Sequence, residues 1–139
     1  MAHWLLKSEP DAFSWDELKK RGANGEPWTG IRNHTAKLNL MKMKKGEHGF
    51  FYHSNVGKEI VGICEIVRAA YPDPTAKAGE PWMAVDIKAV EAMPKPVTLA
   101  DIKAKPKLAA IQLLKQSRLS VPQVTDSEWK IVCKMGGLK

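Results

Sequence analysis

Apolar and polar positions alternate from Trp4 to Ser8, with Trp4, Leu6 and Ser8 on one side and Leu5 and Lys7 on the other; the pattern predicts a first strand, ended by Pro10. Ser14 followed by Glu17 has the spacing of a capping box, in which each side chain satisfies an amide that the helix leaves unpaired. A short helix is therefore expected from Trp15 to about Arg21, stopped at Gly22. Gly22, Gly25 and Pro27 read as a loop, after which Asn33 is placed to cap a second helix carrying Ala36, Leu38, Leu40, Met41 and Met43, with Gly46 as its stop.

Gly49 to Ser54 reads as a buried strand and Glu59 to Ala70 as another, joined into a hairpin by a turn at Asn55-Val56-Gly57-Lys58. Pro72 and Pro74 break the pattern. Strict alternation resumes from Trp82 to Val90, with Val85 and Ile87 inward and Asp86 and Lys88 outward. Thr98 with Asp101 opens a short helix that Pro106 interrupts, Leu108 to Lys115 continues helically, and Thr125 with Glu128 caps a last helix ending near Gly136. Strands in the middle of the chain, with helices between and after them, lack the βαβ rhythm of a parallel sheet. The expected class is α+β, a small mixed or closed sheet with peripheral helices.

At 139 residues the chain is expected to form one domain, 1–139, and its 44% hydrophobic and 27% charged residues are those of a soluble globular protein. No apolar run reaches the length of a bilayer span, so no membrane partner is expected. The start, Met1 to Lys7, meets a charge too soon for a secretory leader, which makes the cytoplasm the expected compartment; the sequence does not give the oligomeric state, and a monomer is the default. Cys64 and Cys133 lack partners at metal-finger spacing and read as plain core thiols; neither metal nor cofactor is expected. A net charge of +7 favours a polyanionic partner. The clusters Lys19-Lys20-Arg21, Lys42-Lys44-Lys45 and Lys103-Lys105-Lys107 are dispersed along the chain, however, and only convergence in space would make a phosphate track of them.

Three polar and aromatic clusters lie at the ends of predicted elements: Lys7-Ser8-Glu9-Pro10, Trp28-Thr29-Gly30-Ile31-Arg32-Asn33 and Tyr52-His53-Ser54. A flat ligand needs an aromatic wall, and its polar edge needs fixed donors and acceptors, because a buried group left unpaired costs free energy. Together with Val61-Gly62-Ile63, Tyr71-Pro72-Asp73-Pro74 and Ser117-Arg118-Leu119-Ser120-Val121, these segments make the sequence resemble the EVE domain family over nearly its whole length. One departure is His34, where the family pattern leads to the expectation of an aromatic such as tyrosine. The resemblance implies a PUA-like fold, a small mixed β-barrel flanked by helices and related in architecture to YTH readers of methylated adenine in RNA. It also implies binding of a modified base in nucleic acid, with modified cytosine in DNA the leading candidate.

A base held in a duplex must be extruded, or found unpaired, before a pocket can inspect it. Stacking on an aromatic ring is worth roughly 1–3 kcal/mol, enough to offset much of that cost, and Trp28 is the expected wall. Ser8, Asn33 and Ser54 can supply hydrogen bonds, Arg32 can engage a phosphate or pair with Glu9, and either Tyr52 or Phe51 can face the pocket. His53 is the titratable candidate, and the resemblance places Arg118 and Ser120 near the pocket. The same residues also have structural readings: Ser8 bonded to backbone, Asn33 only a helix cap, Trp28 a loop plug, His53 a hydrogen-bonded strand residue. Trp4 and Trp82 are expected in the core, and Trp15 and Trp129 between helices and sheet. Two other functions stay open, an RNA-binding accessory module and a hydrolase of a nucleotide-like small molecule using Ser8, His53 and Glu9. The sequence contains no nucleophile elbow, phosphate-binding glycine loop or His-Glu-x-x-His pair, so a non-catalytic module is expected.

Overall fold

In the computed structural model, which describes residues 2–55 and 57–138, strand β1 (His3–Ser8) pairs in parallel with β3 (His48–His53). β3 runs antiparallel to β4 (Glu59–Pro72), and β4 to β5 (Met83–Thr98). Two short strands, β2 (Glu26–Trp28) on β5 and β6 (Gln123–Val124) on β1, form the edges and give the order β2-β5-β4-β3-β1-β6. The α+β class and the helix-flanked mixed sheet are as expected. Closure into a barrel is not seen: among the described residues β2 and β6 do not pair with each other, and the hydrogen-bonded sheet is open and mostly antiparallel. Edge strands of three and two residues present too few backbone groups to complete a ring.

Both faces of the sheet are covered, which explains the unbroken apolar run Phe50-Phe51-Tyr52 in its interior strand. On one face Trp4, Leu6, Phe51, Ile66 and Ile87 pack with Trp15 and Leu18 of α1 (Trp15–Arg21) and Leu40 of α2 (His34–Lys42). On the other, Leu5, Phe50 and Ile63 meet Ile102 of α3 (Leu99–Lys103), Leu113 of α4 (Gln112–Lys115) and Val132 of α5 (Asp126–Met135). The capping boxes at Ser14/Glu17, Thr98/Asp101 and Thr125/Glu128 all form, and the Asn33 side chain accepts the Ala36 amide at the start of α2. Trp129 stacks on Phe50 at 3.9 Å between centroids, and Trp15 sits 5.5 Å from Phe51, so both dock helices onto the sheet as expected.

Several elements differ from the expectation. β5 runs to Thr98 through Pro94 and Pro96, because the register with β4 jumps between Ile60 and Gly62 and this bulge takes up residues that cannot donate to a ladder. Pro27, expected in a loop, lies in β2, and the Leu108–Lys115 helix is a 3-10 turn at Pro106–Leu108 followed by α4. α2 stops at Lys42, ahead of Gly46, where the Met43 backbone turns extended. The hairpin of β3 and β4 forms, with Val56 of its turn outside the described residues. Trp82 precedes β5 and is only partly buried, beside His34 and the Arg32 guanidinium, so it is not the core residue expected. Cys64 is buried as expected, its thiol pushed up to about 12 by burial, and Cys133 is half-buried.

Gly62 lies directly beneath the Trp15 indole, and a Cβ there would fall 2.3 Å from a ring carbon. Overpacking of this kind costs about 1–3 kcal/mol. Gly62→Ala is therefore expected to lower the unfolding free energy by that amount, read as a lower urea midpoint at an unchanged m-value, and an unaltered midpoint would show that α1 is loosely held.

Candidate functional site

The parallel register of β1 on β3 sets Lys7 beside Tyr52 and Ser8 beside His53, so the first and third sequence clusters leave the sheet at the same edge. The Ser54 amide extends the pairing by donating to the Ser8 carbonyl at 2.9 Å. On the other side of β1, the Lys7 amide donates to the Ser120 carbonyl at 3.1 Å and the Leu5 amide to Pro122, which brings the Ser117–Val121 segment alongside. The second cluster arrives through β2, where Trp28 packs edge-on against Phe51 and Phe13, at 5.7 and 6.0 Å between centroids.

Two adjoining concavities result, with Lys7 and Glu9 common to both. The first, about 280 Å³, is lined by Ser8, Phe13, Glu26, Trp28 and Ile31. The second, about 380 Å³, is lined by Tyr52, Ser54, Lys58, Arg118 and Ser120. The single cavity expected around Trp28, Ser8, Asn33 and Ser54 is thus divided: Trp28 and Ser8 face one chamber, Ser54 the next, and Asn33 lines neither. Its carboxamide caps α2, which points it away from the sheet edge.

The expected residues occupy distinct environments. Trp28 is 7% exposed and packs in the core, so although it lines the first chamber it offers that chamber little surface. The Ser8 hydroxyl donates to the Phe13 carbonyl, fixing the loop after β1. Arg32 pairs with Asp73 at 3.0 Å, donates to Thr75 and lies 5.8 Å from the Trp82 ring; it reaches neither Glu9 nor either chamber. Burial would raise the Asp73 carboxyl, but hydrogen bonds from Thr75, the Gly30 amide and Arg32 outweigh it and hold the group at about 2. This pairing belongs to the architecture of the 29–33 loop.

The His53 Nε2 accepts the Trp15 amide at 3.1 Å, which assigns the ring a neutral tautomer and a structural role at the start of α1. Ser8, His53 and Glu9 are therefore not wired as a hydrolytic group: Ser8 and His53 are spent on backbone partners, and Glu9 accepts from Asn55. Burial pushes the Tyr52 phenol up, so it faces the second chamber as a neutral hydroxyl.

The residue patterns left out Lys7, Glu9, Phe13, Glu26 and Lys58 as lining groups. The signal for the first two was present in Lys7–Pro10, since a strand that ends at the site delivers its last side chains there. Lys7 is desolvated, which lowers its pKa, and its ammonium donates to the Ser117 carbonyl at 2.8 Å. Beyond the shared Lys7 and Glu9, the first chamber adds aromatic surface and the Glu26 carboxylate, while the second adds cations and hydroxyls.

The EVE domain family model matches residues 2–135. The chain belongs to the EVE domain family. This EVE domain is 33% identical to human thymocyte nuclear protein 1 over 96% of its own length and 73% of that protein. It superposes on a protein from Agrobacterium tumefaciens with a TM-score of 0.97 at 50% identity, covering 99% of this chain and 94% of the other. Its TM-score is 0.91, at 32% identity, with the human THYN1 protein in complex with DNA containing 5-methylcytosine, covering 100% and 99% of the two chains. A YTH domain from Zygosaccharomyces rouxii in complex with N6-methyladenosine RNA shares the fold, with a TM-score of 0.59 at 13% identity over 99% of this chain and 85% of that one.

His53 carries a pH prediction for the EVE domain. Burial lowers its pKa below 6.5, with Glu59 and Asp16 opposing in part. The unfolded chain then binds the proton more readily, so this contribution to stability is complete above about pH 6.5 and is lost as pH falls below it. His53→Gln, whose amide oxygen can still accept from Trp15, is expected to lose less stability than the wild type between pH 7 and 5. Parallel curves in denaturant titrations would contradict the assignment.

Proposed function

We propose that this EVE domain is a non-catalytic nucleic-acid-binding module that reads a modified base, with modified cytosine in DNA as the leading ligand. The observation that carries the reading is the first chamber, which Phe13 and Trp28 line together with Glu9 and Glu26 in a protein of net charge +7. A carboxylate accepts from the exocyclic amino group of cytosine and repels the carbonyl oxygen that thymine carries at the same position. Glu26 is paired with Arg21 at 2.9 Å, which leaves Glu9, already oriented by Asn55, as the group that meets the base.

The second chamber suits the sugar-phosphate on either side of the extruded nucleotide. Lys7, Lys58 and Arg118 supply positive charge, and Ser54 and Ser120 supply hydroxyls. The desolvated Lys7 ammonium gains most from an anion, since burial has removed part of its hydration. The complex of human THYN1 protein with 5-methylcytosine-containing DNA supports the choice of ligand. Burying the methyl group adds only about 0.8 kcal/mol, roughly fourfold in affinity, so the hydrogen bonds to the base edge carry most of the discrimination.

Thymine and 5-methylcytosine share the methyl group and differ at the position that Glu9 meets. The wild type is expected to bind a 5-methylcytosine oligonucleotide more tightly than the same oligonucleotide with thymine or plain cytosine, at fixed salt. Glu9→Gln removes the charge and adds an amide that can turn to donate to the thymine carbonyl, so the preference over thymine should fall about tenfold, toward none. Phe13→Ala, at a half-buried position, should weaken all modified ligands while the fold persists. Trp28→Ala is a poor test, because emptying a core site costs about 3–5 kcal/mol in stability. Equal wild-type affinity for all three bases, in DNA and RNA alike, would reject the reading.

A further inference from the structure

The net charge is unevenly spread. Residues 95–138 hold eight lysines and arginines against three acids, whereas residues 1–94 hold thirteen against twelve. The fold gathers part of that excess around α5, outside the two chambers described above. Three concavities adjoin there: one of about 550 Å³ between Lys130 and Lys134, one of about 320 Å³ bordered by Lys105, Lys107 and Lys134, and one of about 280 Å³ bordered by Lys95 and Lys105. Lys134 is common to the first two, and Lys105 with Met135 to the last two, so the three adjoin along one grooved, lysine-lined surface that crosses the outer face of α5.

Its five lysines are exposed, and among the described residues none has a carboxylate within 4.0 Å. Asp101 borders the third concavity, but its carboxylate accepts the Thr98 amide in the capping box of α3. Five cations against the Asp101 carboxylate and the nearby Glu91 leave an excess of positive charge along this surface, and the repulsion among the lysines is a cost that a linear polyanion relieves. Lys130 and Lys134 are four residues apart on α5, about 6 Å along the helix, so their ammonium groups can reach neighbouring phosphates of one strand.

We propose that this groove is a second nucleic-acid contact, which holds the phosphodiester backbone without reading bases. It rests on the nucleic-acid part of the function proposed above and not on the modified-base part. A membrane surface fits less well, because the large exposed apolar side chains among the described residues, Leu38, Met41 and Val90, all lie outside the groove, whose own apolar residues are partly buried. α3 links the two regions: Leu99 at its start lines the phosphate-suited chamber and Asp101 lines the groove. A strand whose base enters the first chamber can therefore continue across α3 onto α5.

The test compares the wild-type chain with K105Q/K107Q/K130Q/K134Q and with K20Q/K42Q/K45Q/K77Q, which loses the same charge at exposed lysines elsewhere. Affinity for a plain single-stranded oligonucleotide is measured from 50 to 200 mM salt. Each phosphate contact contributes about 0.7 to the slope of log affinity against log salt, so the groove variant should lose about 2 to 3 in slope and the control much less. Its preference for 5-methylcytosine over thymine should match the wild type. Equal losses in both variants, or an unchanged slope in the groove variant, would overturn the proposal. So would wild-type binding to anionic phosphatidylserine vesicles or polyglutamate with no binding to the oligonucleotide. K130Q/K134Q, expected to lose about half as much slope, serves if the quadruple variant unfolds. Absence of base preference in the wild type would end the modified-base reading and leave this one standing.

Discussion

The parallel pairing of β1 with β3 is the constraint on which the site depends. In an otherwise antiparallel sheet these two strands run the same way, so both finish at one edge and set down Lys7-Ser8-Glu9 and Tyr52-His53-Ser54 side by side. A slip of one residue would turn Lys7 and Tyr52 to the wrong faces, and burial on both sides of the sheet forbids it: Leu5 and Phe50 belong to one core, Trp4, Leu6 and Phe51 to the other. The register that positions the candidate site is therefore fixed by the same side chains that stabilise the fold. Gly49 shows how closely the pair is fitted, since a Cβ there would meet Leu6 at 2.9 Å.

Much of this was legible in the sequence because it depends on local chemistry. The three capping boxes and the Asn33 cap announced four helix starts, and alternation along Trp4–Ser8 and Trp82–Val90 announced two strands. β2 and β6 were not legible. Each is too short to show a period, and β2 contains a proline that suits an edge strand as well as a loop. The bulge that carries β5 past Pro94 and Pro96 is likewise set by its partner strand and leaves no mark in its own sequence.

At the site, residue type indicated which groups gather but not what each one touches. Ser8, Tyr52, Ser54, Arg118 and Ser120 line one chamber or the other, whereas Asn33 and Arg32 turn away to a helix terminus and to Asp73. Arg32 was misread because Asp73 lies 41 residues distant in the chain, so the partner that holds the guanidinium was invisible locally. Trp28 was read as a free wall because its neighbours suggested a loop; pairing with Val85 in β5 draws it into the core instead. Glu9 was read as a partner for Arg32 or a member of a hydrolytic group, yet it lines both chambers.

The role of the two chambers is decided by where a nucleotide sits. Titration of the isotopically labelled chain with a short 5-methylcytosine oligonucleotide, followed by amide chemical shifts, reports this directly. The largest changes are expected at residues 7–9, 12–13, 26–29, 54–55 and 117–120, with smaller and faster-exchanging changes there for the thymine oligonucleotide. Changes that leave these segments untouched, or that are identical for both oligonucleotides, would contradict it.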